Sequence, residues 1–211
     1  MGVTSMQLRL AFLTACLIAC SSANASRRCH DAALPPEQRW NGGVSYSSPA
    51  LDRFYDLSGQ VSAAYRDGDY ALAESLALEY LETAKQFPCN WNYGNAVHNA
   101  NVILGLTALR RGRKAEAVVH LYAAGETPGS PQLDTFGPSL LLARELAQVG
   151  EYKAASDYLS SIRRFWKATD RSILAFEFPL FADPDPLRTW IRELDNGRVP
   201  DFGAPFNMNA P

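Results

Sequence analysis

From residue 49 onward, apolar positions recur at the three-and-four spacing of amphipathic helices. Leu51, Phe54, Tyr55, Val61 and Tyr65 mark a first run that stops at Asp67-Gly68. Tyr70, Ala73, Leu76, Ala77, Tyr80, Leu81 and Ala84 mark a second, ending before Pro88. The same periodicity predicts helices over 95–111, 113–124, 138–149 and 151–167. A seventh has Asp185 as its N-cap, Pro186 at its first position and Gly197 as its stop. Between the fourth and fifth lies SPQLDTFGP (130–138). Here Ser130-Pro131 reads as a turn, Gly137-Pro138 as a helix start and Phe136 as a plug for the core. The link from Gly125 to Gly137 is longer than packed helices usually need, which makes Asp134 and Thr135 candidate contact residues.

The predicted helices fall into pairs with similar corners. GDYALA (68–73), GRKAEA (112–117) and GEYKAA (150–155) each place a Gly five residues before an Ala. The Gly permits a positive φ at the turn, and the Ala lets the second helix pack closely on the first. Leu104-Gly105 stands seven residues before Gly112. This pattern resembles the central corner of tetratricopeptide repeats. The corner glycines are 44 and 38 residues apart, against the family's period of about 34, and the consensus Trp and terminal Pro are missing. The resemblance implies an all-α, tetratricopeptide-like antiparallel array of helix pairs over 49–169, about seven helices in all with a C-terminal capping helix. A second, narrower similarity covers about the last 85 residues. GSPQLDTFGPSLLLARELAQVGE and the ending VPDFG resemble a group of small bacterial exported proteins with such helices and no assigned activity.

In tetratricopeptide repeats the first helix of each pair lines the concave face. Carried over from the corner glycines, that register assigns a candidate peptide groove to Tyr55, Ser58, Ser62, Tyr65 and Arg66, to Asn99 and Arg110, and to Arg144. Tyr, Asn and Arg combine flat apolar area with donors for backbone or carboxylate. The segment 170–211 contains the apolar, proline-broken run SILAFEFPLFADP (172–184), expected to lie over the helical stack. Trp190, Ile191 and Leu194 give the last helix one apolar face, as the end of an array requires.

The first 25 residues follow a different rule. A single charge, Arg9, precedes the apolar run LAFLTACLIA (10–19), which suits an export signal and is too short to span a bilayer. Two processing sites compete. Leu17-Ile18-Ala19-Cys20 resembles a lipobox with Cys20 as the lipidated residue, and Ala23-Asn24-Ala25 is an A-x-A site releasing a chain that starts at Ser26. The expected address is therefore an outer-membrane lipoprotein facing the periplasm, or a soluble periplasmic or secreted protein. Residues 26–48, rich in Pro, Gly and Ser, read as an irregular arm. Outside the signal only Cys29 and Cys89 remain, and two cysteines in an exported chain point to one disulfide. A metal site on Cys29-His30 is the alternative, and no C-x-x-C supports it.

Recognisable catalytic motifs are missing from the sequence: no G-x-S-x-G, H-E-x-x-H, Walker loop or dinucleotide fingerprint occurs. His98, with Asn95 and Asn99 on the same helix face, is the one general-base candidate, and a packed polar residue is the plainer reading. RRGRK (110–114) and RRFWK (163–167) read as solvated helix ends or as contacts for acidic peptide or lipid headgroups. A net charge of −2 gives no electrostatic reason to expect nucleic acid. The expectation is a non-catalytic interaction module or scaffold of the bacterial envelope, without a cofactor. Its partner is another envelope protein or peptide, and any membrane attachment runs through Cys20. A periplasmic enzyme or small-ligand binder using His98 or the Asp134 loop is the alternative.

Overall fold

The computed structural model describes residues 48–166 and 185–202. The signal with Cys20, the arm with Cys29 and the apolar run 172–184 lie outside the described residues. Among the described residues the protein is all-helical, with eight helices and no strand. They are α1 (Pro49–Arg66), α2 (Tyr70–Ala84), α3 (Tyr93–Arg110), α4 (Lys114–Gly125), α5 (Pro131–Phe136), α6 (Leu141–Gln148), α7 (Tyr152–Ile162) and α8 (Pro186–Asp195). Helices α1 and α2, α3 and α4, and α6 and α7 pack as consecutive pairs, each joined by three residues. Helix α8 packs on α7 and ends the stack of described helices.

The corners owe their shape to local chemistry. At each, a glycine takes φ between +72° and +90° (Gly68, Gly112 and Gly150). The next amide then reaches back five residues: Asp69 to the Ala64 carbonyl, Arg113 to Ala108, and Glu151 to Leu146. These bonds satisfy carbonyls that a helix end leaves unpaired. A Cβ at any of the three glycines would meet nothing within 4 Å, so backbone conformation alone selects glycine there. Five residues on, Ala73, Ala117 and Ala155 are all fully buried. The N-caps follow the side chains: Ser48, Asp69 and Asp185 accept from the amides of Leu51, Leu72 and Arg188 at 3.0–3.2 Å.

Two apolar clusters form the core, and α3 contributes to both. Leu51, Phe54, Leu57, Val61, Tyr80 and Phe87 meet Ala96, Ala100 and Ile103 in the first cluster. Val102 and Leu106 join Leu121, Leu142, Leu146, Tyr158, Leu159 and Ile162 in the second, which α8 closes with Leu187, Trp190 and Leu194. Each fully buried Leu, Ile or Phe contributes about 1.5–3 kcal/mol. Thirteen of the eighteen residues of α3 are buried, among them the polar Asn95, His98, Asn101 and Thr107. Residues 199–202 return over α8, where Phe202 meets the edge of Trp190 with ring centres 5.4 Å apart.

The helix expected over 151–167 ends at Ile162, and three further expectations need correction in SPQLDTFGP. Ser130 is extended and caps Leu133, and Pro131 begins a short helix, α5, so the described helices number eight. The next helix starts at Leu141 rather than Pro138, because Gly137 takes φ +87° and interrupts the chain there. Phe136 is 56% exposed instead of plugging the core, a place that Leu133 and Trp166 take.

Close approach makes a further demand. A Cβ on Gly94 would lie 1.8 Å from the Gly129 carbonyl oxygen, which is backbone and cannot swing away. Gly94→Ala is therefore expected to lower stability by about 3 kcal/mol. Gly59→Ala in α1, where nothing lies within 4 Å, is expected to raise it by about 0.5–1 kcal/mol. Urea unfolding midpoints of the two variants test the contrast.

Candidate functional site

The richest polar constellation lies where the α2–α3 corner meets the α4–α6 connector. Asn90, Asn92 and Asn95 are buried there with Ser130 and His98. One backbone amide fixes the direction of the bond that reaches Tyr55. The Asn92 amide donates to Asn90 Oδ1 at 2.9 Å, so Asn90 Nδ2 must be the group that donates to Tyr55 Oη, also at 2.9 Å. The Leu133 amide donates to Ser130 Oγ at 3.1 Å, and the Ser130 hydroxyl donates to Asn95 Oδ1 at 2.5 Å. Asn95 Nδ2 then donates to Asn92 Oδ1 at 2.7 Å and Gln132 Oε1 at 3.1 Å. Asn92 Nδ2 in turn donates to Tyr80 Oη at 3.2 Å. Burial raises the Tyr80 pKa, so it remains a phenol.

His98 is fully buried one turn further along α3. Its Nε2 accepts from the Ser139 amide at 3.0 Å, which places the proton on Nδ1, 3.3 Å from the Ala124 carbonyl. The Tyr158 ring lies against the imidazole, and its hydroxyl donates to the Ser139 carbonyl at 2.8 Å. Both backbone groups of Ser139 are thus held by side chains from α3 and α7. With both ring nitrogens engaged, His98 keeps no lone pair for a substrate proton. Asp134 and Thr135 are exposed on α5, with the Asp134 carboxyl pKa raised by partial burial and opposed by the Ser130 amide. Among the described residues no group of three His, Cys, Asp or Glu can hold a metal. No described helix is long and apolar enough to cross a membrane.

The structure brings two of the eight groove candidates together. Tyr65 of α1 and Arg110 of α3 come together at Glu145 of α6. Arg110 grips that carboxylate through two 2.7 Å bonds, which raise the guanidinium pKa. Partial burial and the nearby Glu145 charge raise the Tyr65 pKa. Tyr55 stacks on Trp91 with centres 5.9 Å apart, while Ser58 lies next to the Tyr80 hydroxyl and its carbonyl accepts from Ser62. Asn99 is half-buried, and Arg66 and Arg144 are exposed. Cys89 is half-buried in the α2–α3 corner. The basic runs are largely consumed by structure. Arg111 and Arg113 bond Glu74, Lys114 bonds Glu151, Arg163 bonds Asp185 and Arg164 bonds the Thr127 carbonyl.

Glu145, Gln132, Trp91, Asn90 and Asn92 were not among the sequence candidates. The spacing N-W-N-x-x-N (90–95) is the signal that points to the last three, because three asparagines at the start of a buried helix must find partners. No protein-family model matches the chain, nor does any curated protein or solved structure.

Burial lowers the His98 pKa to about 4. An unfolded His98 titrates near 6.5, so the unfolded state binds the proton first as the pH falls. The stability held above pH 6.5 is lost progressively between about 6.5 and 4, by on the order of 3 kcal/mol from this group. His120, also lowered by burial, adds a loss of the same sign. The groups against the His98 ring, Tyr158 and the backbone of Ala124 and Ser139, supply no carboxylate to offset it. His98→Gln is expected to flatten the pH dependence in that window, as urea titrations at pH 7, 5.5 and 4.5 would read.

Proposed function

We propose that this chain is a non-catalytic interaction module of the bacterial cell envelope, a tetratricopeptide-like array that binds another envelope protein or a peptide. One observation carries the reading. Helices α1, α3 and α6 adjoin in that order, and their partly exposed positions hold Tyr55, Ser58, Ser62, Tyr65 and Asn99, with Arg66 and Arg144 exposed on α1 and α6. Such a surface offers flat aromatic area and hydrogen-bond donors without a nucleophile or free base among them. Ion pairs also join neighbouring units at Arg110–Glu145, Arg111–Glu74 and Lys114–Glu151. The proposal includes export, with either a lipid anchor on Cys20 or release at Ser26, and a Cys29–Cys89 disulfide.

Two measurements test this. An unreduced intact mass from membrane and soluble fractions is expected to show either an acylated chain beginning at Cys20 or one beginning at Ser26, two hydrogens light. A chain that keeps residues 1–25 overturns the envelope assignment. A photoreactive side chain at Asn99 is expected to crosslink one defined envelope protein, and the same group at Lys153 on α7 is expected to crosslink none. Equal labelling from both positions overturns the recognition face.

A further inference from the structure

The bonds around His98 bring three elements to one point. Its Nε2 accepts from the Ser139 amide at 3.0 Å, and Tyr158 of α7 donates to the Ser139 carbonyl at 2.8 Å. Ser139 lies near the end of the connector between α4 and α6. That connector is lightly held. Its helix α5 has six residues and buries Leu133 alone. Hydrogen bonds from Thr127 to the Gly94 carbonyl, from Ser130 to Asn95 and from Asn95 to Gln132 attach it to α3. The helix pairs on either side do not rely on it. Helix α4 packs on α6 and α7 directly, within the cluster that holds Leu121, Leu142, Leu146 and Leu159.

We infer that His98 is an acid-operated latch, in which a proton at Nε2 frees the connector from α3 and α7 while the helix pairs stay folded. The device is independent of what the array binds. The lone pair that holds the Ser139 amide is the one a proton takes. Once it is taken, Nε2–H faces Ser139 N–H, and two donors meet without an acceptor. Nδ1–H is already given to the Ala124 carbonyl, and turning the ring brings no relief because both nitrogens of an imidazolium donate. No counter-charge surrounds the ring. Helix α4 brings the Ala124 carbonyl, the connector brings the Ser139 amide, and α7 brings the Tyr158 phenol, which burial keeps protonated. Along α3 the neighbours one turn away are the neutral Asn95 and Asn101. A buried cation in such a place is strongly disfavoured, so it must reach water. The connector is the element that gives way, since it has the least apolar area to lose. Opening takes up a proton because burial lowers the His98 pKa, and it therefore grows as the pH falls from about 6.5 towards 4.

Residue-resolved amide exchange of the full chain at pH 7.5, 6 and 4.5, with and without sub-denaturing urea, tests the latch. Protection of the Ser139 and Leu133 amides is expected to fall about twentyfold between pH 6 and 4.5. Their exchange is expected to ignore urea, as a local opening does, while that of Ile103 in α3 and Leu159 in α7 follows it. His98→Gln keeps an acceptor for Ser139 and removes the titration, so its connector is expected to hold one protection factor across the range. Tyr158→Phe loses the second hold on Ser139 and is expected to lower protection at every pH with the wild-type slope. A Ser139 amide whose protection ignores pH in the wild type overturns the latch, as does a wild-type slope retained in His98→Gln. One urea slope shared by the connector and α3 also overturns it, because the opening is then global. If either variant fails to fold, the wild-type measurements decide alone.

Discussion

The burial of α3 is the constraint on which the other elements depend. With thirteen of its residues out of solvent, α3 must find apolar or hydrogen-bonding partners in nearly every direction. Its Ala96, Ala100 and Ile103 serve the first cluster, and its Val102 and Leu106 serve the second. Its polar residues face the remaining direction. Asn95 and His98 are buried there and would each cost several kcal/mol if left unbonded. That cost accounts for the form of the α4–α6 connector. Ser130, Gln132 and the Ser139 amide lie where α3 needs an acceptor or a donor. The connector answers two side chains of α3 as well as joining two helices.

Much of this was legible in the chain, for identifiable reasons. Helices with one wet face, such as α1 and α8, declare themselves through periodicity. Corners that demand φ > 0 declare themselves through Gly68, Gly112, Gly150 and Gly197. The class of fold followed from these two signals. The connector was misread because SPQLDTFGP contains two serviceable helix starts, Ser130-Pro131 and Gly137-Pro138, and only tertiary contacts decide between them. Ser130 prevailed because its hydroxyl is needed twice, by Leu133 and by Asn95. Phe136 was placed inside on hydrophobicity alone, yet Gly137 sits tightly against Trp166 and leaves no room behind it.

The candidate recognition face was half legible. A repeat register finds Tyr55, Tyr65 and Arg110 because it needs only their spacing from a glycine. It cannot show that Arg110 is already held by Glu145, 35 residues away, or that Trp91 covers one side of Tyr55. Those facts belong to side-chain packing, which no local pattern encodes. The same applies to polarity. An asparagine in a sequence is both donor and acceptor, and it is the Asn92 amide that decides which end of the Asn90 carboxamide meets Tyr55.

The connector's tailored fit also bears on ancestry. Arrays of like units ordinarily grow and shrink by copying a helix pair in the gene. Here a copy inserted between α4 and α6 would separate His98 from Ser139, and Asn95 from Ser130 and Gln132. The displaced helix would then expose or orphan the groups that the connector now satisfies. An insertion at the joint between the second and third pairs would therefore carry a cost in unbonded buried groups.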